Sequence, residues 1–461
     1  MRLSTSAIGV CLGLSGVLAA CGSSEDSVFG DGRGAGDPGG EGAPAPGFAG
    51  SSGGPAPAAA TSGCNTIRGK VYDPAGKTPL WGVAVYVPRG PLAPLPDGVS
   101  CARCGQPISA VAATMTDASG SFTLAGVPDG DTVRVVLETG KWRRELDLPG
   151  VRGCKTATHD DPKTMRLPRS AAEGSLPRFA VVAGGADSLE CLLRRTGIAD
   201  SEFGTAGDAA AHVHLYHGAN GRSRFAGGKA FAEAGGLLGD GKKLDAYDAV
   251  LAACAGRVED KRTIPLAWVS AMEAYAGRGG RAFFSHYMNW FVRGGSAPLA
   301  GAAQIRDDDG DDLVDPFVAD VSTSFPKGKI FSEWLGHVGA STTPASIPIH
   351  SAQWTVSSVD PARATSWIGA KNGVLTNKTS VGPVVQYFSA NMPAGAPEAS
   401  QCGRYVVSDL HVGQDGGAGD FPTTCSDRDL TAQEKVLEFM LFDLSSCVQA
   451  DTTPPAPPVV R

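Results

Sequence analysis

The stretch GGRAFFSHYMNWF, residues 279–291, constrains the fold more than any other part of the chain. After the Gly279-Gly280 break, residues 281–284 read as a strand covered on both faces, because the run lacks the polar alternation of a half-exposed strand. Strands of that kind belong to parallel sheets flanked by helices, and ligands sit at the carboxyl ends of such strands. Ser285 and His286 fall at that end, and an aromatic segment with Tyr287 and Trp290 follows.

The preceding chain has the same grammar. Residues 178–183 form an apolar strand ending in Gly184-Gly185-Ala186-Asp187-Ser188, after which SLECLLRR has helical spacing. Strand, glycine turn and helix in that order open a doubly wound α/β fold. Residues 212–216 and 247–253 (YDAVLAA) read as two further strands, and residues 265–275 as a helix stopped at Gly279-Gly280.

The amino terminus is of another kind. Residues 1–20 carry Arg2, a short apolar run and small residues before Cys21, which is too short for a membrane span and reads as an export signal. Leu18-Ala19-Ala20-Cys21 resembles the bacterial lipobox, which implies acylation of Cys21 and a membrane partner through that lipid. With Gly22 rather than Asp next, the expected destination is the outer membrane of the cell envelope. Residues 21–63 are Gly, Ala, Pro and Ser without apolar periodicity, so they are expected to be a disordered tether. Residues 449–461 (with DTTPPAPPVVR) read likewise as a Pro-rich tail. A formal net charge of -7 without basic blocks excludes nucleic acid as an expected partner.

Between tether and α/β region, residues 64–170 show short strands divided by Gly/Asp/Pro turns, the pattern of a small β-sandwich. The phrases IRGKVYDPAGKTPLWGVAVYV and TDASGSFTLAGVPDG resemble the carboxypeptidase regulatory-like (transthyretin-like) family, which implies a non-catalytic accessory module. Trp142, Arg143 and Arg144 lie on a strand face there, as a solvated face or a binding edge. Residues 175–448 resemble the class I glutamine amidotransferase-like superfamily, including its trehalose-utilisation (ThuA-like) branch. The carrying phrases are FAVVAGGADS, YDAVLAACAGR, GGRAFFSHY and GRYVVSDLHV. Thr431-Ala432-Gln433-Glu434 forms a capping box opening a helix over 432–444. An insertion at about 293–401 falls outside the resemblance, with one helix over 331–338. The expected class is α/β plus all-β: an N-terminal small β-sandwich and a larger doubly wound, flavodoxin-like α/β domain.

The resemblance implies an elbow with a nucleophile after the central strand. Ser285 takes that place, where the family carries Cys, with His286 or His411 as base. In a doubly wound sheet Asp187, Ser285, His286, Asp409 and His411 should converge on one cleft, with Tyr287 and Trp290 as its apolar wall. His212, His214 and His217 read as a polar strand face, with zinc as the alternative. Residues 307–312 (DDDGDD) read as a solvated acidic loop that fails calcium-loop spacing. No metal or cofactor is expected.

Eleven cysteines, less Cys11 in the signal and the acylated Cys21, leave nine in a disulfide-permissive compartment. Two disulfides are expected among Cys64, Cys101, Cys104 and Cys154, with a four-Cys zinc site as the alternative. Cys402 is expected to pair with Cys425. Strand order brings Cys191 near Cys254, so that pair is expected to bridge, leaving Cys447 over; two free thiols are the alternative. The functional expectation is a lipid-anchored surface binding or scaffold protein for a small molecule, glycan or protein. Its rival is a hydrolase or carbohydrate-active enzyme using Ser285, His286 and His411.

Overall fold

A computed structural model describes residues 63–256, 264–307, 311–411 and 419–461. The signal, the Cys21 motif, the tether and part of the acidic loop lie outside the described residues. Residues Ala59–Arg461 form one compact unit, and its strands and helices are mixed over several sheets, broadly α/β plus β.

The first part carries β1 (Asn65–Lys70), β2 (Ala84–Pro88), β3 (Ala110–Met115), β4 (Ser121–Val127), β5 (Thr132–Thr139), β6 (Trp142–Pro149) and β7 (Thr156–His159). They make a three-stranded sheet β4-β1-β7 and a four-stranded sheet β3-β2-β5-β6. Alternate positions of β4, Phe122 and Leu124, point inward while Thr123 and Ala125 are exposed, the period of a sheet wet on one side. Trp142, expected on a solvated face or binding edge, is instead fully buried. Arg143 bonds Glu138 at 2.6 Å and Arg144 the carbonyls of Thr164 and Arg166, so neither faces outward as a ligand edge.

The second part begins with β8 (Phe179–Ala183), β9 (Phe203–Thr205), β10 (Val213–His217), β11 (Ala232–Glu233), β12 (Ala249–Ala252) and β13 (Arg281–Ser285). The insertion supplies β14 (Ala303–Ile305), β15 (Phe317–Val321), β16 (Ser346–Ile349), β17 (Val356–Val359), β18 (Thr365–Val374) and β19 (Ser380–Met392), and the chain returns as β20 (Gly403–Ser408). One large sheet has the order β11-β10-β8-β12-β13-β20-β19-β18-β15-β16. From β10 to β20 the neighbours are parallel; from β20 to β16 they are antiparallel. The insertion thus continues the sheet.

Every residue of β8, β12, β13 and β20 is buried, as two-sided coverage requires. Phe179, Val181, Leu251, Phe283 and Val406 share a core with the helix Ala432–Ser445 and with Ile67, Val85 and Trp142 of the first part. Ala180, Val250, Ala282, Phe284 and Val407 face the other way, onto Val269, Met272 and Tyr275 of the helix Leu266–Gly277. The helix Ala432–Ser445 begins with the expected capping box between Thr431 and Glu434. Its exit carbonyls are met by Arg281, whose guanidinium donates to Leu444 O at 3.1 Å and Ser446 O at 3.2 Å.

The first part is not an appended module. Trp142 lies against Phe179 and Phe442, and Trp81 stacks on Phe439 at 5.4 Å. Two disulfides, Cys101–Cys402 and Cys104–Cys447, join it to the second part. Residues 449–461 are docked rather than loose: Asp451 is buried on Arg404 at 2.7 Å, and Val460 bridges to Ile108. An ion pair, not the proline content, fixes that segment.

The cysteine pairing departs from expectation. Cys64–Cys154 forms inside the first part, but Cys101 and Cys104 reach across, and Cys191 bridges Cys425. Neither Cys191–Cys254 nor Cys402–Cys425 exists. Cys447 is paired, and Cys254 is the free, buried thiol among the described residues. Neighbouring strands alone set that expectation, whereas Cys425, well beyond β20, lies against the helix that carries Cys191.

Candidate functional site at the carboxyl edge of the sheet

Four parallel strands deliver one group each to the same edge. Asp187 follows β8, Cys254 follows β12, His286 follows β13, and His411 lies three residues beyond β20. The glycines after β8 allow the turns to touch. A Cβ on Gly184 would stand 2.2 Å from the Cys254 carbonyl oxygen, and one on Gly185 2.8 Å from that of Ala255. Glycine therefore sets the distance between Asp187 and Cys254. The Asp187 carboxylate accepts from the Cys254 amide at 3.3 Å and from the Ser285 hydroxyl.

The turn after β13 is where the resemblance placed a nucleophile. Ser285 is still extended, with φ -92 and ψ 129, whereas His286 takes φ +41, the left-handed conformation that side chains other than Gly adopt at a cost. The sharp elbow therefore displays an imidazole. Tyr287 stacks on that ring at 3.9 Å.

His286 Nδ1 lies 3.6 Å from Cys254 Sγ and 3.1 Å from His411 Nε2. The three donor atoms are all within 4.8 Å of one another. Asp187, Cys254, Ser285 and His286 are buried, and His411 is half-buried. Burial pushes the Cys254 thiol up, but hydrogen bonds and charge from His286 and then His411 outweigh it and bring it down to about 6. His411 is lowered by burial and raised by more through Cys254 and Asp187, ending above the ordinary imidazole value. The amide of Gly256 also donates to Cys254 Sγ at 3.4 Å.

The expected convergence of Asp187, Ser285, His286 and His411 is present, and Tyr287 borders it. Two expected members turn elsewhere. The Asp409 carboxylate accepts from Thr355 Oγ1 and from the Val356 amide at 2.9 Å, tying the insertion to β20 instead of facing the cleft. Trp290 packs against the second core with Arg293 over its ring at 5.1 Å, so the apolar wall loses it. Ser285 has no imidazole for a base; its proton goes to Asp187. The residue that sequence reasoning missed is Cys254, and the signal was parity: the nine cysteines among the described residues leave one over, and Cys254 follows a buried strand.

The other histidines are engaged separately. His212 Nδ1 lies 2.6 Å from Glu202, His214 Nδ1 2.7 Å from Tyr247 Oη, and His217 Nδ1 3.2 Å from Arg222 O. Burial lowers His214 below the ordinary imidazole value. They are a polar strand face, each ring held by its own partner. No described helix is long and apolar enough to cross a membrane.

No protein-family model matches the chain, and no curated protein matches it. Among solved structures, two interface mutants of a type II cohesin–X-dockerin complex from Acetivibrio cellulolyticus are similar over part of the chain. The N-terminal interface mutant is 16% identical and covers 32% of this chain and 88% of that one, at a TM-score of 0.15. The C-terminal interface mutant is 16% identical, with 32% and 79% covered, at a TM-score of 0.14. At those scores the likeness bears on neither fold nor function.

Proposed function

We propose that the chain is an envelope lipoprotein, anchored through Cys21, whose α/β part binds a small ligand at the carboxyl edge of its parallel sheet. In this reading residues 64–170 are a regulatory-like β-sandwich and residues 175–448 a flavodoxin-like, amidotransferase-like domain, the two welded into one binding body. The strand order β10-β8-β12-β13-β20 supports the doubly wound assignment. One observation carries the functional reading: the Ser285 hydroxyl donates to Asp187 and has no imidazole, so the serine hydrolase version lacks a nucleophile–base pair. A fluorophosphonate probe should leave Ser285 unlabelled; stoichiometric labelling of Ser285 would overturn the reading.

A second reading is favoured by Cys254 itself. A thiol brought down to about 6, with His286 Nδ1 at 3.6 Å, has the composition of a thiolate nucleophile and its acid–base partner. It requires turnover of an ester, amide or glycoside that disappears in Cys254→Ser and persists in Ser285→Ala. No turnover across such a panel leaves the binding role standing.

A further inference from the structure

The two contacts of His286 Nδ1 cannot both be satisfied by a proton. A ring nitrogen carries either one hydrogen or one lone pair, yet Nδ1 faces Cys254 Sγ at 3.6 Å and His411 Nε2 at 3.1 Å. If it is protonated it donates to one neighbour only. If it is bare it accepts well from one only. A cation at the centre of the triangle accepts from all three at once.

The spacing fits a particular ion. Zinc, at ~2.3 Å from sulfur and ~2.0–2.1 Å from nitrogen in a tetrahedral shell, separates sulfur from nitrogen by about 3.6 Å and two nitrogens by about 3.3 Å. The observed 3.6 and 3.1 Å match within the few tenths of an ångström a shell relaxes on binding. One thiolate and two imidazoles form a borderline-soft set that suits zinc and excludes magnesium and calcium, which take oxygen. Asp187, bonded to the Cys254 amide and the Ser285 hydroxyl, supplies the supporting shell.

We propose that Cys254, His286 and His411 bind one zinc ion at the carboxyl edge of the parallel sheet. This rests on the reading of that edge as a binding site, and it names the ligand class. Three protein donors are one short of a tetrahedron, the number found where zinc also takes water or a small anionic or thiol ligand. The elbow at His286 is then explained: its left-handed backbone turns Nδ1 toward the other two donors. Coordination displaces to solvent the proton that Cys254, His286 and His411 share.

The test is a zinc titration of the full chain, stripped with a chelator, against a chromophoric competitor. One equivalent per chain is expected. Cys254→Ser and His411→Gln should each weaken binding by at least about 100-fold, and Asp187→Asn by roughly 10-fold through the supporting shell. Because a variant can fail to fold, cobalt(II) bound to the wild type provides a second measurement: a tetrahedral spectrum with a thiolate-to-cobalt charge-transfer band is expected. Zinc affinity equal in wild type and Cys254→Ser, or cobalt bound without that band, overturns the proposal. The two readings fail separately. No zinc with Ser285 unlabelled sinks the metal site alone, and zinc bound with Ser285 labelled sinks the non-catalytic role alone.

Discussion

The two edges of the parallel sheet are built from the same kinds of residue and use them in opposite ways. At the amino edge, Arg404 pairs with Asp443 at 3.0 Å and Asp451 at 2.7 Å, and Lys327 pairs with Asp443 at 2.8 Å, all almost fully buried. Cys402, immediately before β20, is bridged to Cys101, and Cys447 to Cys104. At the carboxyl edge the thiol of Cys254 is unbridged and two imidazoles face it. Cysteine and charge close one edge; they converge on the other.

The comparison breaks most readily at Arg404. Replacing it with Met leaves Asp443 and Asp451 buried with too little positive charge, so Arg404→Met should cost about 3–5 kcal/mol in urea unfolding. The Asp451 value is raised by burial and lowered by more through Arg404 and Lys327, ending depressed. Its contribution is therefore present above the unfolded carboxylate value and lost as pH falls through the folded one. Wild type and Arg404→Met should converge in acid. Equal stability at neutral pH would remove the ion cluster as the lock of that edge.

The double variant Cys104→Ser, Cys447→Ser opens a crosslink spanning 343 residues. It should lose about 2–4 kcal/mol, more by increasing unfolded-state entropy than by losing contacts. Zinc affinity should be unchanged if the edges are separable. A parallel loss of zinc would show that the staple shapes the site.

A smaller effect of opposite sign is expected at Glu438, buried at the seam near Asp73. Burial and then Asp73 raise its carboxyl well above the ordinary value. A raised folded value means stability fully present below the unfolded value and lost as pH rises through the folded one. Glu438→Gln should therefore stabilise above neutrality by at least about 1 kcal/mol, with the gain vanishing in acid. Thermal melts across pH decide it, and a gain that grew toward acid would reverse the sign.

Smallest is Ser285→Ala. It removes one donor from Asp187, which keeps the Cys254 amide, so a loss of about 1 kcal/mol is expected, with little change in cobalt spectrum. Loss of the charge-transfer band in that variant would show that Ser285, through Asp187, is needed to hold the Cys254 thiolate on the metal.

Local pattern made most of the scaffold legible. The unbroken apolar runs predicted β8, β12 and β13, and Thr431 with Glu434 predicted the cap of the last helix. The glycine turn after β8 placed Asp187, the end of the apolar run placed His286, and the resemblance of GRYVVSDLHV placed His411 at the same edge. Cys254 escaped because disulfide connectivity is tertiary: the partner of Cys191 lies 234 residues away, and no spacing rule reaches that far. Asp409 was misplaced since strand order does not say which way a residue just beyond the strand end will turn, and it turns to Thr355 and Val356 of the insertion. Trp290 was misplaced for a related reason. The short helical turn at 286–289 rotates the chain, and its ring joins the core under Arg293. The tail misled through composition, because a single buried Asp451 outweighs its prolines.

The division between a stapled edge and a metal-binding edge is tested most directly by thiol mapping under non-reducing conditions, with and without zinc. The account predicts Cys64, Cys101, Cys104, Cys154, Cys191, Cys402, Cys425 and Cys447 in four bridges. It also predicts Cys254 as a thiol that iodoacetamide modifies after chelation and that added zinc protects. Recovery of Cys254 in a disulfide, or its modification at the same rate with and without zinc, would contradict it.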